Sequence, residues 1–436
     1  MKTKLLIAAT LCCLLLSSCS GMSLTGSDVL SPPLAQGEQS ELQQLIKDNT
    51  SGSYSLIYPS SGEYQNAVVF RDIDRDGEDE AVAMYKGPDE GSRILFACRS
   101  DTGYTSLGEA NLQSSLIEKA DFADLNGDGK EEFIVTYPEA SSPLCSLSVI
   151  GIGGEITRID MSACCNTFVI DDFDGDQVKD LLLLSLAGTS GTASAKLLNY
   201  DGSVLSVKTS CEMDSQLSGY AKITCGGISE GVVGAVVDGY TPAGEYTTQV
   251  IYFDTATESL VNPLFIYMGY DSTRRTTLLS SADIDRDGLI EIPICSLCEY
   301  APDESVAEVC RQVSWNSFNT ADISMTRKKT AVLCEDEGFL FNISDSRTDA
   351  VTARRSADGD ILLYIWGGAD GEPGCTDLLL TVKRYPKNSY DSTRVLEAKL
   401  GETATSVFTY IINPVDSDLC YTDEDVAGSF VLLEQH

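Results

Sequence analysis

The chain has 436 residues, 66 of them acidic and 30 basic, and its formal charge is −36. A field that acidic repels phosphate backbones and anionic lipid and draws cations to the surface, which argues against nucleic acid as a partner. The length suits two or three domains or one large repeat architecture, and the single histidine, His436, leaves no internal base for a serine or cysteine nucleophile.

The N-terminus, Met1-Lys2-Thr3-Lys4 followed by the apolar run from Leu5 to Leu16 and then Ser17-Ser18-Cys19, has the anatomy of a secretory signal peptide. Its apolar core is too short to span a bilayer comfortably. Leu16-Ser17-Ser18-Cys19 resembles the bacterial lipobox. That resemblance implies removal of residues 1–18 and diacylglycerol on the Cys19 sulfur, which anchors the chain to the extracytoplasmic face of a membrane of the bacterial cell envelope. Loss of Lys2 and Lys4 takes the charge to −38. No other segment carries about 18 consecutive apolar residues, so membrane attachment rests on the lipid. Residues 19–53 read as a tether, rich in Ser, Gly and Pro up to Gln36, with a short amphipathic helix from Gly37 to Lys47 that places Leu42, Leu45 and Ile46 on one side.

Of fifteen cysteines, Cys12 and Cys13 leave with the signal and Cys19 carries the lipid. The remaining twelve sit mostly alone inside apolar runs, as Cys98 does, so disulfides and buried free thiols both stay open. Cys295-Ser-Leu-Cys298 and the adjacent Cys164-Cys165 lack the second pair or histidine that a zinc site needs.

Beyond residue 54 short apolar runs alternate with Gly, Asp, Asn and Pro, and the predicted fold is all-β. Four segments share one pattern. Asp72, Asp74, Asp76, Gly77 and Glu80 mark the first; Asp124, Asn126, Asp128, Gly129 and Glu132 the second; Asp172, Asp174, Asp176, Gln177 and Asp180 the third; Asp283, Asp285, Asp287, Gly288 and Glu291 the fourth. Each is followed by a strand-like run, so these loops join strand to strand. They start 52, 48 and 111 residues apart. The doubled last step predicts a metal-less repeat between them that has lost the acidic pattern, and Tyr220 to Val237 fits. Five repeats of about 50 residues over residues 54–330 are the signature of propeller blades, each a small sheet that cannot bury its faces alone.

Acids at positions 1, 3 and 5 set oxygens on one side of a tightly curled loop, glycine at position 6 permits the turn, and position 9 returns another carboxylate. With the backbone carbonyls of the position 7 residues Glu78, Lys130, Val178 and Leu289, this is a set of hard oxygen ligands for Ca²⁺, about four sites in all. Fifteen carboxylates crowded into four small loops repel each other without a cation. An EF-hand needs an acid at position 12 and a helix beyond it. Here position 12 is Ala83, Val135, Leu183 or Ile294.

The four loops resemble the FG-GAP or VCBS type of repeat found in integrin α-subunit propellers and bacterial surface proteins, over about two-thirds of the chain. The resemblance implies a β-propeller with calcium in the four matched loops. The third departs from the pattern at Gln177, where glycine is expected, which puts its turn under strain.

From residue 331 to 436 the calcium pattern stops while strand-like segments continue: Gly338 to Ile343, Val351 to Arg355, Ile361 to Trp366, Leu378 to Tyr385, Val407 to Ile412 and Ser429 to Leu433. A separate β-rich domain is the favoured expectation, with two degenerate blades completing a seven-bladed ring as the alternative. The functional expectation is a non-enzymatic binding, adhesion or scaffold module for a surface protein or glycan. Its competitor is a polysaccharide-active enzyme working with two carboxylates, and the sequence singles out no catalytic pair.

Overall fold

The computed structural model describes residues 38–50, 53–87, 91–101, 103–153, 155–188, 191–268, 270–367 and 374–433. The signal segment, Cys19 and most of the tether lie outside these residues. The first described element is helix α1 (Glu38–Asn49), close to the expected helix.

The rest is all-β, arranged among the described residues as six antiparallel sheets that follow one another along the chain. Sheet 1 holds β1 (Ser55–Leu56), β2 (Val68–Arg71), β3 (Glu80–Lys86), β4 (Ser92–Ser100) and β5 (Gly103–Leu112), with β1 and β2 pairing opposite ends of β3. Sheet 2 is β6 (Lys119–Ala123), β7 (Glu132–Pro138), β8 (Cys145–Gly153) and β9 (Glu155–Cys165). Sheet 3 is β10 (Thr167–Asp171), β11 (Asp180–Ser185), β12 (Ser194–Tyr200) and β13 (Leu205–Glu212). Sheet 4 is β14 (Gly219–Ser229), β15 (Val232–Tyr240), β16 (Tyr246–Asp254) and β17 (Ser259–Val261).

Sheet 5 contains β18 (Ile292–Leu297), β19 (Arg311–Asn319), β20 (Ser324–Cys334) and β21 (Phe339–Ile343). Sheet 6 contains β22 (Val351–Arg355), β23 (Ile361–Trp366), β24 (Cys375–Pro386), β25 (Ala398–Glu402) and β26 (Ser406–Ile412). After the short helix α2 (Asp423–Ser429), β27 (Phe430–Leu432) returns to pair with β21 of sheet 5.

The strand after each of the first three acidic loops is buried on both faces, which is why it reads as an unbroken apolar run: Ala81 to Tyr85, Phe133 to Val135 and Leu181 to Leu184 are all within the core. Each sheet packs on the next. Phe96 meets Phe133 edge-on at 5.9 Å between sheets 1 and 2. Ile134 and Val149 pack with Phe168 and Leu183, Leu184 and Leu197 with Val237 and Ile251, Val236 and Val250 with Ile292 and Phe318, and Phe341 with Leu380 and Phe408. The other face of sheet 1 is covered by α1, whose Leu42 and Ile46 lie against Ala81, Ala83, Tyr85 and Leu95. Burial of each such side chain is worth about 1.5–3 kcal/mol. Among the described residues no hydrophobic cluster joins sheet 6 to sheet 1.

The repeat from Tyr220 to Val237, which lacks the acidic pattern, is the first hairpin of sheet 4. Its loop has shrunk to Glu230 and Gly231 between the paired residues Ser229 and Val232, with Gly231 at φ +70. The boundary expected between residues 330 and 331 falls inside β20: Thr330 and Ala331 both pair with β19, at Ser314 and Val313, and with β21, at Ile343 and Asn342. Sheet 5 therefore extends past that boundary, and a continuous core joins it to sheet 6.

Candidate cation loops

Three of the four acidic loops link antiparallel neighbours within a sheet: β2 to β3, β6 to β7 and β10 to β11. The fourth lies between Ala282, which bridges to Glu291, and β18. All four are curled by the same bonds. The position 1 carboxylate accepts from the backbone N–H of position 6: Gly77 on Asp72 at 3.1 Å, Gly129 on Asp124 at 2.9 Å, Gln177 on Asp172 at 3.0 Å and Gly288 on Asp283 at 3.0 Å. The position 9 carboxylate accepts from the N–H of position 2: Ile73 on Glu80, Leu125 on Glu132, Phe173 on Asp180 and Ile284 on Glu291, at 2.9–3.0 Å. Position 6 is left-handed in every loop, with φ +94, +91 and +89 at Gly77, Gly129 and Gly288 and +73 at Gln177. Gln177 thus adopts a conformation that costs an L-residue about 1–2 kcal/mol.

Positions 1, 3 and 9 converge. In Asp72, Asp74 and Glu80, in Asp172, Asp174 and Asp180, and in Asp283, Asp285 and Glu291, one oxygen from each residue lies within 4.8 Å of the others, so each trio can hold a metal ion. The second loop has an amide in place of the middle acid, and Asn126 Nδ2 donates to Glu132 Oε1 at 2.9 Å. The position 5 acids Asp76, Asp128, Asp176 and Asp287 stand outside the trios. Each instead accepts from the N–H of its position 7 residue, Glu78, Lys130, Val178 or Leu289, at 2.8–2.9 Å.

The trios are short of positive charge. Glu291 Oε1 and Asp74 Oδ1 are buried oxygens with no hydrogen-bond partner. Burial, reinforced by repulsion from Asp128 and Asp124 and opposed by the Leu125 N–H, lifts the Glu132 carboxyl to about 7. Burial and the neighbouring Asp174 lift Asp180 to about 6. Glu80 and Glu291 are also raised, burial again being the main cause.

No family model matches the chain, and no curated protein does. Solved structures are only distantly similar, and two of them illustrate the level of likeness. Sqt1 from Chaetomium thermophilum is 10% identical over 83% of this chain and 99% of that one, with a TM-score of 0.32. The rhamnogalacturonan lyase PL11 of Bacillus licheniformis is 10% identical over 83% of this chain and 91% of that one, with a TM-score of 0.31. Likeness at this level carries neither a family nor an activity.

Sequence reasoning missed the bases that attend these loops. Lys130 Nζ reaches Asp74 Oδ2 at 3.5 Å, Arg75 Nη2 lies 3.8 Å from Asp124 Oδ2, Lys208 pairs with Asp174, and Lys328 Nζ lies 3.1 Å from Asp287 Oδ2. Lys208 and Lys328 come from strands well outside their loops, so no fixed spacing announces them. Lys130 and Arg75 are visible in the loop sequences, but that each reaches across to the neighbouring loop follows only from the packing of sheet 2 on sheet 1.

Proposed function

We propose that the chain is a cell-envelope lipoprotein whose successive sheets are the blades of a calcium-stabilised β-propeller, acting as a non-enzymatic binding, adhesion or scaffold module for a surface protein or glycan. The observation that carries the calcium reading is the fourth loop, where the fully buried Glu291 leaves Oε1 unpartnered beside Asp283 and Asp285. A buried carboxylate oxygen without a donor is costly, and a hard divalent cation compensates it.

Three side-chain oxygens per trio, the position 7 carbonyl and water meet the six to eight oxygens that calcium takes. No cysteine or histidine belongs to the loops, which disfavours softer metals. In the second loop Asn126 would turn its oxygen toward the ion. Four calcium ions would take the mature charge of −38 to −30, which makes the metal chiefly a structural staple. At a free concentration 100 times Kd each site adds about 2.7 kcal/mol.

The propeller reading is supported by the up-and-down order of strands and by the stacking of each sheet on its successor. The envelope reading rests on the signal segment and Cys19. Calorimetric titration of the mature chain with calcium, paired with melting curves in calcium and in EGTA, tests the metal: about four sites and a lower melting point in EGTA are expected, and an unchanged melt removes the proposal. Labelling of the wild type but not Cys19→Ser by a palmitate analogue tests the anchor.

A further inference from the structure

Apart from the acidic loops, the chain buries a second group of polar atoms that its own hydrogen bonds leave incomplete. It lies between sheets 3 and 4, where the chain leaves β13 and crosses β16. Gln249 Oε1 accepts from Asp214 N at 2.9 Å and from Asn262 Nδ2 at 2.8 Å. Asn262 Nδ2 also donates to Glu212 O at 3.2 Å, and Gln216 N donates to Asp214 Oδ1 at 2.9 Å. Two donors converge on Gln249 Oε1 and two acceptors on Asn262 Nδ2, so the orientation of both amides is fixed.

That arrangement leaves Asp214 Oδ2, Asn262 Oδ1 and Gln249 Nε2 without partners, together with Thr247 Oγ1 on the same face of β16 as Gln249. Thr247 pairs with Gly239, and the space above Gly239 is filled by Leu217 of the turn that begins at Asp214, so Thr247 borders the same region. The four residues are 0–3% exposed. Among the described residues no Lys or Arg pairs with Asp214, so its Oδ2 meets neither a donor nor a counter-charge. Water alone supplies hydrogen bonds but no charge.

We infer that Asp214, Asn262 and Thr247 form an interior site for an alkali-metal cation, sodium or potassium, distinct from the calcium loops. The unpartnered acceptors are a carboxylate, an amide carbonyl and a hydroxyl oxygen, all hard ligands. With a single formal charge, they balance a monovalent ion, whereas the acidic loops gather two or three acids at positions 1, 3 and 9. The Gln249 amide then donates to the carboxylate or to a water completing the ion's shell. Two adjoining surface cavities reach the chain beside Asp214: Glu212 borders one of about 580 Å³ and Ser215 to Ser218 border the other, of about 600 Å³.

The test is the melting point of the calcium-saturated full chain in sodium, potassium and choline chlorides at equal ionic strength. A saturable rise of several degrees in one alkali salt over choline is expected, and it should vanish in Asp214→Asn. Identical melting in all three salts overturns the site and leaves buried water as the occupant. If Asp214→Asn does not fold, thallium(I) soaked into crystals of the wild type decides: an anomalous peak beside Asp214 Oδ2 supports the site, and none there overturns it.

Discussion

Arg275 and Asp238, neither with any exposed side-chain surface, meet at 2.7 Å and hold the start of the fourth acidic loop against sheet 4. Asp238 Oδ2 accepts from Ser281 N at 2.7 Å, two residues before Asp283, while Arg275 also donates to Leu279 O, Thr273 O and Thr248 Oγ1. Every polar atom of the pair is engaged, and the pair ties the link between sheets 4 and 5 to β15 and β16.

Breaking this pair from one side strands the other charge in the core. Arg275→Ala and Asp238→Ala should each cost about 3–5 kcal/mol in urea unfolding. The double change Arg275→Met with Asp238→Leu should cost less than the sum of the two, since neither charge is then left alone. Additive losses would mean that the pair is not a unit.

On the calcium reading, the raised acids should give the chain opposite responses to pH with and without the ion. A carboxyl that is raised on folding binds protons more tightly in the native state. Its contribution to stability is therefore full at low pH and is lost as pH rises through the folded value. In EGTA, Glu132 at about 7 and Asp180 at about 6 should make the melting point fall between pH 5 and 7.5. With calcium in excess, protons compete with the ion, so the melting point should rise over the same range. Melting curves at four pH values with and without EGTA read both slopes, and parallel slopes would contradict the assignment of these acids as ligands.

Gln177 is the one position 6 residue that pays for a left-handed backbone with a side chain. Gln177→Gly should relieve about 1–2 kcal/mol of strain, offset by about 0.5–1 kcal/mol of added backbone entropy in the unfolded chain. A net gain of up to about 1.5 kcal/mol and tighter calcium binding at the third loop are expected from melting and titration. A loss of stability would show that the side chain itself is used.

The cap on sheet 1 can be measured through α1. Leu42→Ala and Ile46→Ala should each cost about 2–4 kcal/mol. Gln44→Ala, on the exposed side, should stay within about 0.5 kcal/mol.

What could be read in the sequence was set by local chemistry. Asp-x-Asp-x-Asp-Gly dictates a curled loop wherever it occurs, and the apolar runs after it must be strands buried on both sides, so the first hairpins of sheets 1, 2 and 3 and the start of β18 were legible. Val351–Arg355 and Ile361–Trp366 matched their expected spans because a Ser-Ala-Asp-Gly-Asp turn punctuates them. Ala398–Glu402 was missed, since an exposed edge strand with Lys, Gly and Glu carries no apolar alternation. Residues 330 and 331 fall inside a sheet for a different reason: the acidic pattern ends with a loop, but a sheet ends where its last strand pairs, and β27 comes back to sheet 5 from the far end of the chain. Pairings of that kind, like the meeting of Asp238 with Arg275 or of Asp214 with Asn262, join residues tens of positions apart and leave no periodic trace.

The helix over sheet 1 is also the first described element of the chain, which makes it a mechanical joint. Tension applied to the chain ahead of residue 38 reaches α1 before any strand, and it is resisted by the side-chain contacts of Leu42 and Ile46 rather than by a ladder of backbone bonds. Such a joint peels at lower force than a sheet shears. Once peeled, it uncovers the apolar face of β3 and β4, so a pull on the N-terminus would convert a sealed end of the molecule into an adhesive one.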